Sequence, residues 1–320
     1  MPVDEQQVNL VVVLGPTASG KTRLGVRLAL EWGGEVVSAD SRQVYRGLDL
    51  GSGKDLDEYA MDGAAVPYHL IDIADLDREF SVFDYQKRFY ETFESLEARA
   101  VLPVVVGGTG LYLDAVLGKY RMVEVPENPE FRAELEAESG EALVTRLLSL
   151  KGRLHNTTDL ASRDRIVRAI EIAEYSASHD PQPAPDIRPL ILGTQWDRSI
   201  LRQRIRVRLA ERIDHGLIAE VEGLHARGVP LERLEQLGLE YRFVAEYIEG
   251  KIRNKNDLIQ KLAAVISRFA KRQDTWFRRM ERNGFKIHWI PGADFAKAAA
   301  VVERPLLVSG YRRAESRHGR

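Results

Sequence analysis

Short aliphatic runs separated by amphipathic stretches organise the first 120 positions of the chain. "NLVVVLG" (9–15), "EVVSAD" (35–40) and "LPVVVGG" (102–108) read as strands. Unbroken apolar runs of this kind suit strands covered on both faces. Between them, "KTRLGVRLALEW" (21–32) repeats Leu24, Leu28 and Trp32 at helical spacing, and "FSVFDYQKRFYETFESLEARA" (80–100) reads as a helix. Strands alternating with helices predict a parallel sheet with helices on both faces.

From about Tyr120 the pattern turns helical, with "NPEFRAELEAES", "EALVTRLLSL" and "ASRDRIVRAIEIAEY" in succession. "SHDPQPAPDIRP" then breaks the chain with four prolines in nine residues. "LILGTQW" reads as a strand returning to the sheet, followed by two long basic helices near 198–226 and 254–282 and a last strand at "FKIHWI". The expected fold is α/β: a P-loop parallel sheet flanked by helices, formed by 1–120 and 188–320, with a mostly helical inserted domain at 121–187.

Composition changes this picture little. The 320 residues are 44% hydrophobic and 29% charged, and the absence of Cys excludes disulfides and thiolate metal sites. A polar amino terminus and the lack of any apolar run near ~20 residues point to a cytoplasmic protein with no membrane partner. Net charge is −2, which argues against indiscriminate nucleic-acid coating, yet arginine is clustered in "RDRIVR", "LRQRIRVR" and "RFAKRQDTWFRR". Arg suits phosphate because its planar fork can hold two oxygens.

"GPTASGKT" (15–22) satisfies G-x-x-x-x-G-K-[ST] between a strand and a helix. Backbone N–H groups of Gly15, Thr17, Ala18, Ser19 and Gly20, in a loop that also contains the donor-less Pro16, together with the helix amino terminus make an anion cradle; Lys21 adds charge and Thr22 a hydroxyl for Mg²⁺. Asp40 and Ser41 end the second strand, where an open parallel sheet binds ligands. Asp40 there could ligate Mg²⁺, accept a proton, or merely cap a turn. The third strand ends in Gly107, Gly108 and Thr109, where an NTPase usually places a carboxylate; the glycines allow close backbone approach and the Thr hydroxyl can donate to an oxyanion or position an amine, the alternative being a plain strand-to-helix turn. On the 254–282 helix, ~100° per residue puts Lys261, Arg268, Arg272 and Arg279 on one stripe beside an apolar face of Leu258, Leu262, Ile266, Phe269, Trp276 and Met280. Arg204, Arg208 and Arg212 repeat the theme at i, i+4, i+8. Such stripes serve either as a solvated face or as a polyanion surface.

Taken in order, "GPTASGKT", "SADSRQVYRGLDLGSGK", "VVVGGTGLY", "RDRIVRAIEI", "EYR…YIEG" and "AKRQDTWF" resemble the tRNA dimethylallyltransferase (isopentenyl-tRNA transferase) family over most of the chain. The resemblance implies that the loop holds the diphosphate of dimethylallyl diphosphate and that the acceptor is the exocyclic amine of the adenosine beside the tRNA anticodon. By the same resemblance Asp40 is the general base, Thr109 a positioning hydroxyl, and Lys21, Thr22 with Mg²⁺, and Arg208 stabilise the departing diphosphate. The tRNA-contacting stretches would be Asp40, Ser41, Arg42 and Gln43; Arg165 and Arg168; and Arg268, Lys271, Arg272, Gln273, Trp276 and Arg278. A monomer is expected. Three positions depart from the family pattern: Glu240-Tyr241 for Gly-Tyr, Ser267-Arg268 for Arg-Gln, and "DLDREFS" without its proline. The first puts a negative charge near an expected RNA surface. A P-loop kinase, a prenyltransferase of free AMP or ADP, and an RNA-binding protein with a vestigial loop are the competing readings.

Overall fold

The computed structural model describes residues 7–61, 63–118, 122–151, 160, 162–181 and 183–314. The chain separates into two compact units, Met1–Gly118 with Pro185–Arg320, and Lys119–Ala184. The boundary expected at 120–121 and the polar stretch 1–6 lie outside the described residues.

The first unit is built on a six-stranded parallel sheet. Its strands are β1 (Leu10–Leu14), β2 (Glu35–Ala39), β5 (Tyr68–His69), β6 (Pro103–Gly107), β7 (Pro189–Gln195) and β8 (Ile287–Pro291), in spatial order β5-β2-β6-β1-β7-β8. A short antiparallel pair, β3 (Ala60–Met61) and β4 (Ala64–Ala65), lies apart from it. β1 and β6 are buried at every residue, as their unbroken Val and Leu runs require. One face of the sheet packs with α1 (Lys21–Trp32) and α12 (Phe295–Val308), through Val11, Val13, Leu28, Trp32 and Val302.

The other face buries a larger core. It is covered by α2 (Val82–Ala98), α3 (Gly110–Leu117), α7 (Arg198–Asp214), α8 (Leu217–Ala226), α9 (Leu231–Gln236), α10 (Leu239–Ile248) and α11 (Lys255–Arg282). Ser81 starts α2 with a capping box: its hydroxyl accepts from Asp84 N–H while Asp84 accepts from the Ser81 backbone. The long helix expected at 198–226 is therefore two, because Gly216 takes φ 105° and turns the chain after α7. Helices α9, α10 and α12 and the edge strand β5 were not expected.

The second unit contains α4 (Pro129–Glu136), α5 (Gly140–Lys151) and α6 (Arg163–Ser176) around Leu135, Leu143, Leu147, Ile166 and Ile170. Among the described residues no helix is long and apolar enough to cross a membrane.

Candidate active site

Strand ends, rather than loops alone, set the site. β1 leads into the glycine loop, whose carbonyls are turned away and used by the protein. Arg204 Nε donates to Ala18 O (2.8 Å), Trp196 Nε1 to Ser19 O (2.8 Å) and Lys21 Nζ to Pro16 O (3.3 Å). Ser19 is fully buried and its hydroxyl accepts from Thr194 Oγ1 at 2.7 Å; a Cβ at Gly15 would stand 1.9 Å from that Thr194 oxygen. Ala18 adopts φ 62° and Gly20 φ 85°, so consecutive N–H groups can converge on one point, an anion nest at a helix amino terminus.

β2 and β6 pair with Ala39 opposite Gly107, which brings their two turns together beside the loop. Thr109 Oγ1 accepts from Ser41 N–H (3.0 Å), and Asp40 Oδ1 accepts from Arg42 N–H (2.9 Å). Asp40 thus caps its turn and also lines the cleft with Lys21. The cleft, about 720 Å³, opens over the glycine loop. Its walls include Thr22, Thr109, Arg208, Arg212 and Arg272, and an apolar patch of Val207, Leu239, Ile266 and Phe269.

Electrostatics make the cleft anion-hungry. Burial lowers the Lys21 ammonium to about 8, against the opposing pull of Asp40. Burial, reinforced by neighbouring Arg212, lowers Arg208 to about 10. Desolvated cations that lower each other gain most from a ligand with several negative charges. Arg208 is held over the loop by a hydrogen bond to Thr17 Oγ1. Arg212 is buried, pairs with Asp55 at 2.8 Å, and presses on Gly53, where a Cβ would meet its guanidinium at 2.4 Å.

Several expected residues stand elsewhere. Gln273 does not present its amide to solvent: it is buried, accepting from Thr17 N–H (2.9 Å) and donating to Gly108 O (2.8 Å). Trp276 packs on Gly110 and donates its indole N–H to Asp114 (2.8 Å), and Arg279 leaves the expected basic stripe to pair with the same carboxylate at 3.3 Å. Leu258, Leu262, Ile266 and Met280 of the expected apolar face are buried, joined by Phe277, while Trp276 packs partly buried against the same core and Phe269 is partly buried. Gln43 is likewise buried, tied to Ser38 and to Gly53 O. Lys271, Arg268 and Arg278 are exposed. Arg165 and Arg168 lie on α6 of the second unit; Arg165 is exposed, while Arg168 binds Glu171 and Val125 O.

Glu240 does not stand on an open face. It lines the cleft, where burial raises its carboxyl above the usual range against the pull of Arg212 and Arg208. Glu220 and Lys54 were missed altogether. The Glu220 carboxylate accepts from Leu50 N–H, Gly51 N–H and Tyr241 Oη, and fully buried Lys54 binds Asp49, Asp72 and Tyr45 O. "GLDLGSGK" is glycine-rich enough to signal a specialised loop, but the partners that hold it are 160 or more positions away in the case of Glu220.

Comparison with known proteins agrees along most of the chain. Residues 43–280 match the family described as IPP transferase, and residues 8–64 the one described as isopentenyl transferase. tRNA dimethylallyltransferase 1 of Geotalea uraniireducens is 58% identical over 297 residues, 92% of this chain and 97% of that protein. The enzyme of the same name from Syntrophus aciditrophicus is 56% identical over 90% of this chain and 95% of its own length. The crystal structure of full-length tRNA isopentenylpyrophosphate transferase from Bacillus halodurans superposes with a TM-score of 0.66 at 33% identity, covering 95% of this chain and 96% of that one. A eukaryotic dimethylallyltransferase crystallised acting on tRNA shares the fold, with a TM-score of 0.77 at 19% identity over 97% and 82% of the two chains. With a family match spanning most of the chain and relatives well above half identical, the chain belongs to the tRNA dimethylallyltransferase (IPP transferase) family.

Proposed function

We propose that the protein transfers a dimethylallyl group from dimethylallyl diphosphate to the N6 amine of the adenosine adjacent to the tRNA anticodon. The observation that carries this reading is the cleft itself, whose walls combine the glycine loop, Lys21 and Arg208 with apolar Val207, Leu239, Ile266 and Phe269 and with Asp40 from the neighbouring strand end. A triphosphate has no use for an apolar wall of Val207, Leu239, Ile266 and Phe269; a five-carbon chain does.

In this reading the loop N–H groups, Lys21 and Arg208 hold the diphosphate, where negative charge grows as the allylic C–O bond breaks. Cations fixed in a water-poor site stabilise that charge most. The N6 nitrogen forms the new C–N bond, and Asp40 takes the proton it sheds. One Asp40 oxygen is engaged by Arg42 N–H, which orients the carboxylate and leaves it further lone pairs for that proton. Because a stacked amine cannot reach Asp40, the adenosine must be extruded into the cleft.

Mg²⁺ fits the donor set. Among the described residues no group of three or more His, Cys, Asp or Glu gathers, but Mg²⁺ commonly takes one or two protein oxygens and fills the rest with substrate phosphates and water. Thr22 lines the cleft and would supply such an oxygen, leaving the Asp40 carboxylate to the proton. When bound, the ion neutralises the leaving diphosphate.

The exposed cations Arg268, Lys271, Arg272 and Arg278 form the proposed tRNA surface of the first unit, and Arg165, exposed on the helical unit, is proposed separately as a tRNA contact. Incubation with labelled dimethylallyl diphosphate and either bulk tRNA or AMP tests the reading. Label in alkylated adenine of digested tRNA is expected. Label in AMP alone would move the acceptor to a free nucleotide, and phosphoryl transfer from ATP would mark a kinase.

A further inference from the structure

Gln273 sits on the helix proposed to meet RNA, yet its side chain turns inward and joins the two loops that build the active site. Only 7% of it is exposed. Its Oε1 accepts from Thr17 N–H in the glycine loop at 2.9 Å, and its Nε2 donates to Gly108 O at the end of β6 at 2.8 Å. The backbone is pressed around the amide: a Cβ at Gly108 would lie 2.4 Å from Nε2. One turn later Trp276 packs on Gly110 and bonds Asp114, so α11 is fastened to this turn at two levels.

The connection runs on. Thr109, next to Gly108, accepts from Ser41 N–H, and Ser41 adjoins Asp40. A chain of contacts therefore runs from the diphosphate loop through one carboxamide to the turn that carries the candidate base. The two residues before that carboxamide, Lys271 and Arg272, are exposed cations, and Arg272 also borders the cleft.

We propose that Gln273 is a positioning residue that couples RNA on the basic face of α11 to the diphosphate loop, so that each ligand tightens the binding of the other. The inference rests on the functional reading above and deepens it. A shift of α11 on engaging a polyanion moves the acceptor of Thr17 N–H, and Thr17 is the residue whose hydroxyl also receives Arg208. Orienting the loop before the diphosphate arrives removes part of the ordering cost of binding it. Coupling between two binding equilibria is reciprocal, so the same factor must appear in RNA affinity.

Inorganic pyrophosphate with Mg²⁺ and unfractionated tRNA are suitable probes, because the pair cannot react. Affinity for each is measured alone and with the other saturating, in the wild type, in Gln273→Met and in Gln273→Glu. The wild type should bind pyrophosphate about five- to fiftyfold tighter with tRNA present, and tRNA tighter by the same factor, within the usual range of coupling between sites. Gln273→Met keeps the length without the hydrogen bonds and should bring both ratios to within about twofold of one. Gln273→Glu retains an acceptor for Thr17 but opposes a carboxylate to Gly108 O, and should lose coupling as well. A residue that merely supported the fold would lower both affinities and leave the ratio alone. An unchanged ratio in a folded variant overturns the inference, as does a ratio of one in the wild type, which needs no variant to fold. Failure of the wild type to bind pyrophosphate at all overturns the functional reading and this inference with it.

Discussion

Removing one carboxylate, Glu220→Ala, should loosen a whole wall of the cleft. Its oxygens accept from Leu50 N–H (2.7 Å), Gly51 N–H (3.2 Å) and Tyr241 Oη (2.7 Å). Tyr241 is 1% exposed, and its ring lies so close to Gly51 that a Cβ there would stand 2.5 Å from it. Water has little room to replace the lost acceptor at the tyrosine and more at the two amides. A donor left buried without a partner costs about 1–3 kcal/mol, so three donors, two of them partly repaired by water, give about 2–6 kcal/mol. That is a large share of the ~5–15 kcal/mol that stabilises a folded domain. The consequence reaches the active site because the same loop carries Gly53 and Asp55, which hold Arg212. Urea unfolding of wild type, Glu220→Ala and Glu220→Gln would measure the loss, with the amide, which keeps one acceptor oxygen, losing about 1–2 kcal/mol. Donor KM in the folded variants should rise with the stability loss. An alanine variant within about 1 kcal/mol of wild type would show that this clamp does not hold the loop.

Four further outcomes are expected. Lys21→Ala and Thr22→Ala should each lower the prenylation rate about 10²-fold or more, with dimethylallyl diphosphate protecting the wild type far better than ATP does. Asp40→Ala should reduce single-turnover prenylation by ~10²–10⁴ while leaving tRNA affinity nearly unchanged; a rate equal to wild type would reduce Asp40 to the turn cap it also forms. Arg268→Ala with Arg272→Ala should weaken tRNA binding and flatten the slope of log affinity against log salt by roughly 0.7–0.9 per lost contact, whereas merely solvated charges would leave the slope unchanged. Glu35, held at about 2 by hydrogen bonds from Arg99 and, after the opposing cost of burial, from His69, contributes stability that is present above its ordinary value near 4.5 and lost as pH falls toward 2. Glu35→Gln should therefore be less stable than wild type by about 1–2 kcal/mol at pH 7, allowing for the exposed Arg99, with the gap closing near pH 2 in acid-unfolding curves.

Local chemistry was legible where it is local. The glycine loop, the strand that precedes it and the helix that follows all declare themselves within 24 residues, because a phosphate nest is made by consecutive backbone groups whose conformation Gly and Pro control. The family resemblance then supplied substrates that no spacing could. The stripe on α11 was legible only in part: helical geometry located Lys261, Arg268 and Arg272 on an exposed face and Trp276 against the core, but not the bonds by which Arg279 and Trp276 both reach Asp114 on α3. Periodicity says which residues share a face; it does not say which neighbour waits beside that face.

The sequence by itself determined the parallel sheet, the anion loop at its carboxyl edge and the interruption of the core by a helical unit, because aliphatic runs, glycine spacing and prolines act on the nearest few residues. The packing of distant segments is what turned Gln273 onto the backbone of two loops, brought Glu240 into the cleft with Arg208 and Arg212, and set Glu220 to clamp a loop some 170 positions away. A polar side chain has several possible partners and its letter carries no address. The choice falls to whichever donors and acceptors the packed helices leave buried and unsatisfied, since leaving them unpaired is what the fold cannot tolerate.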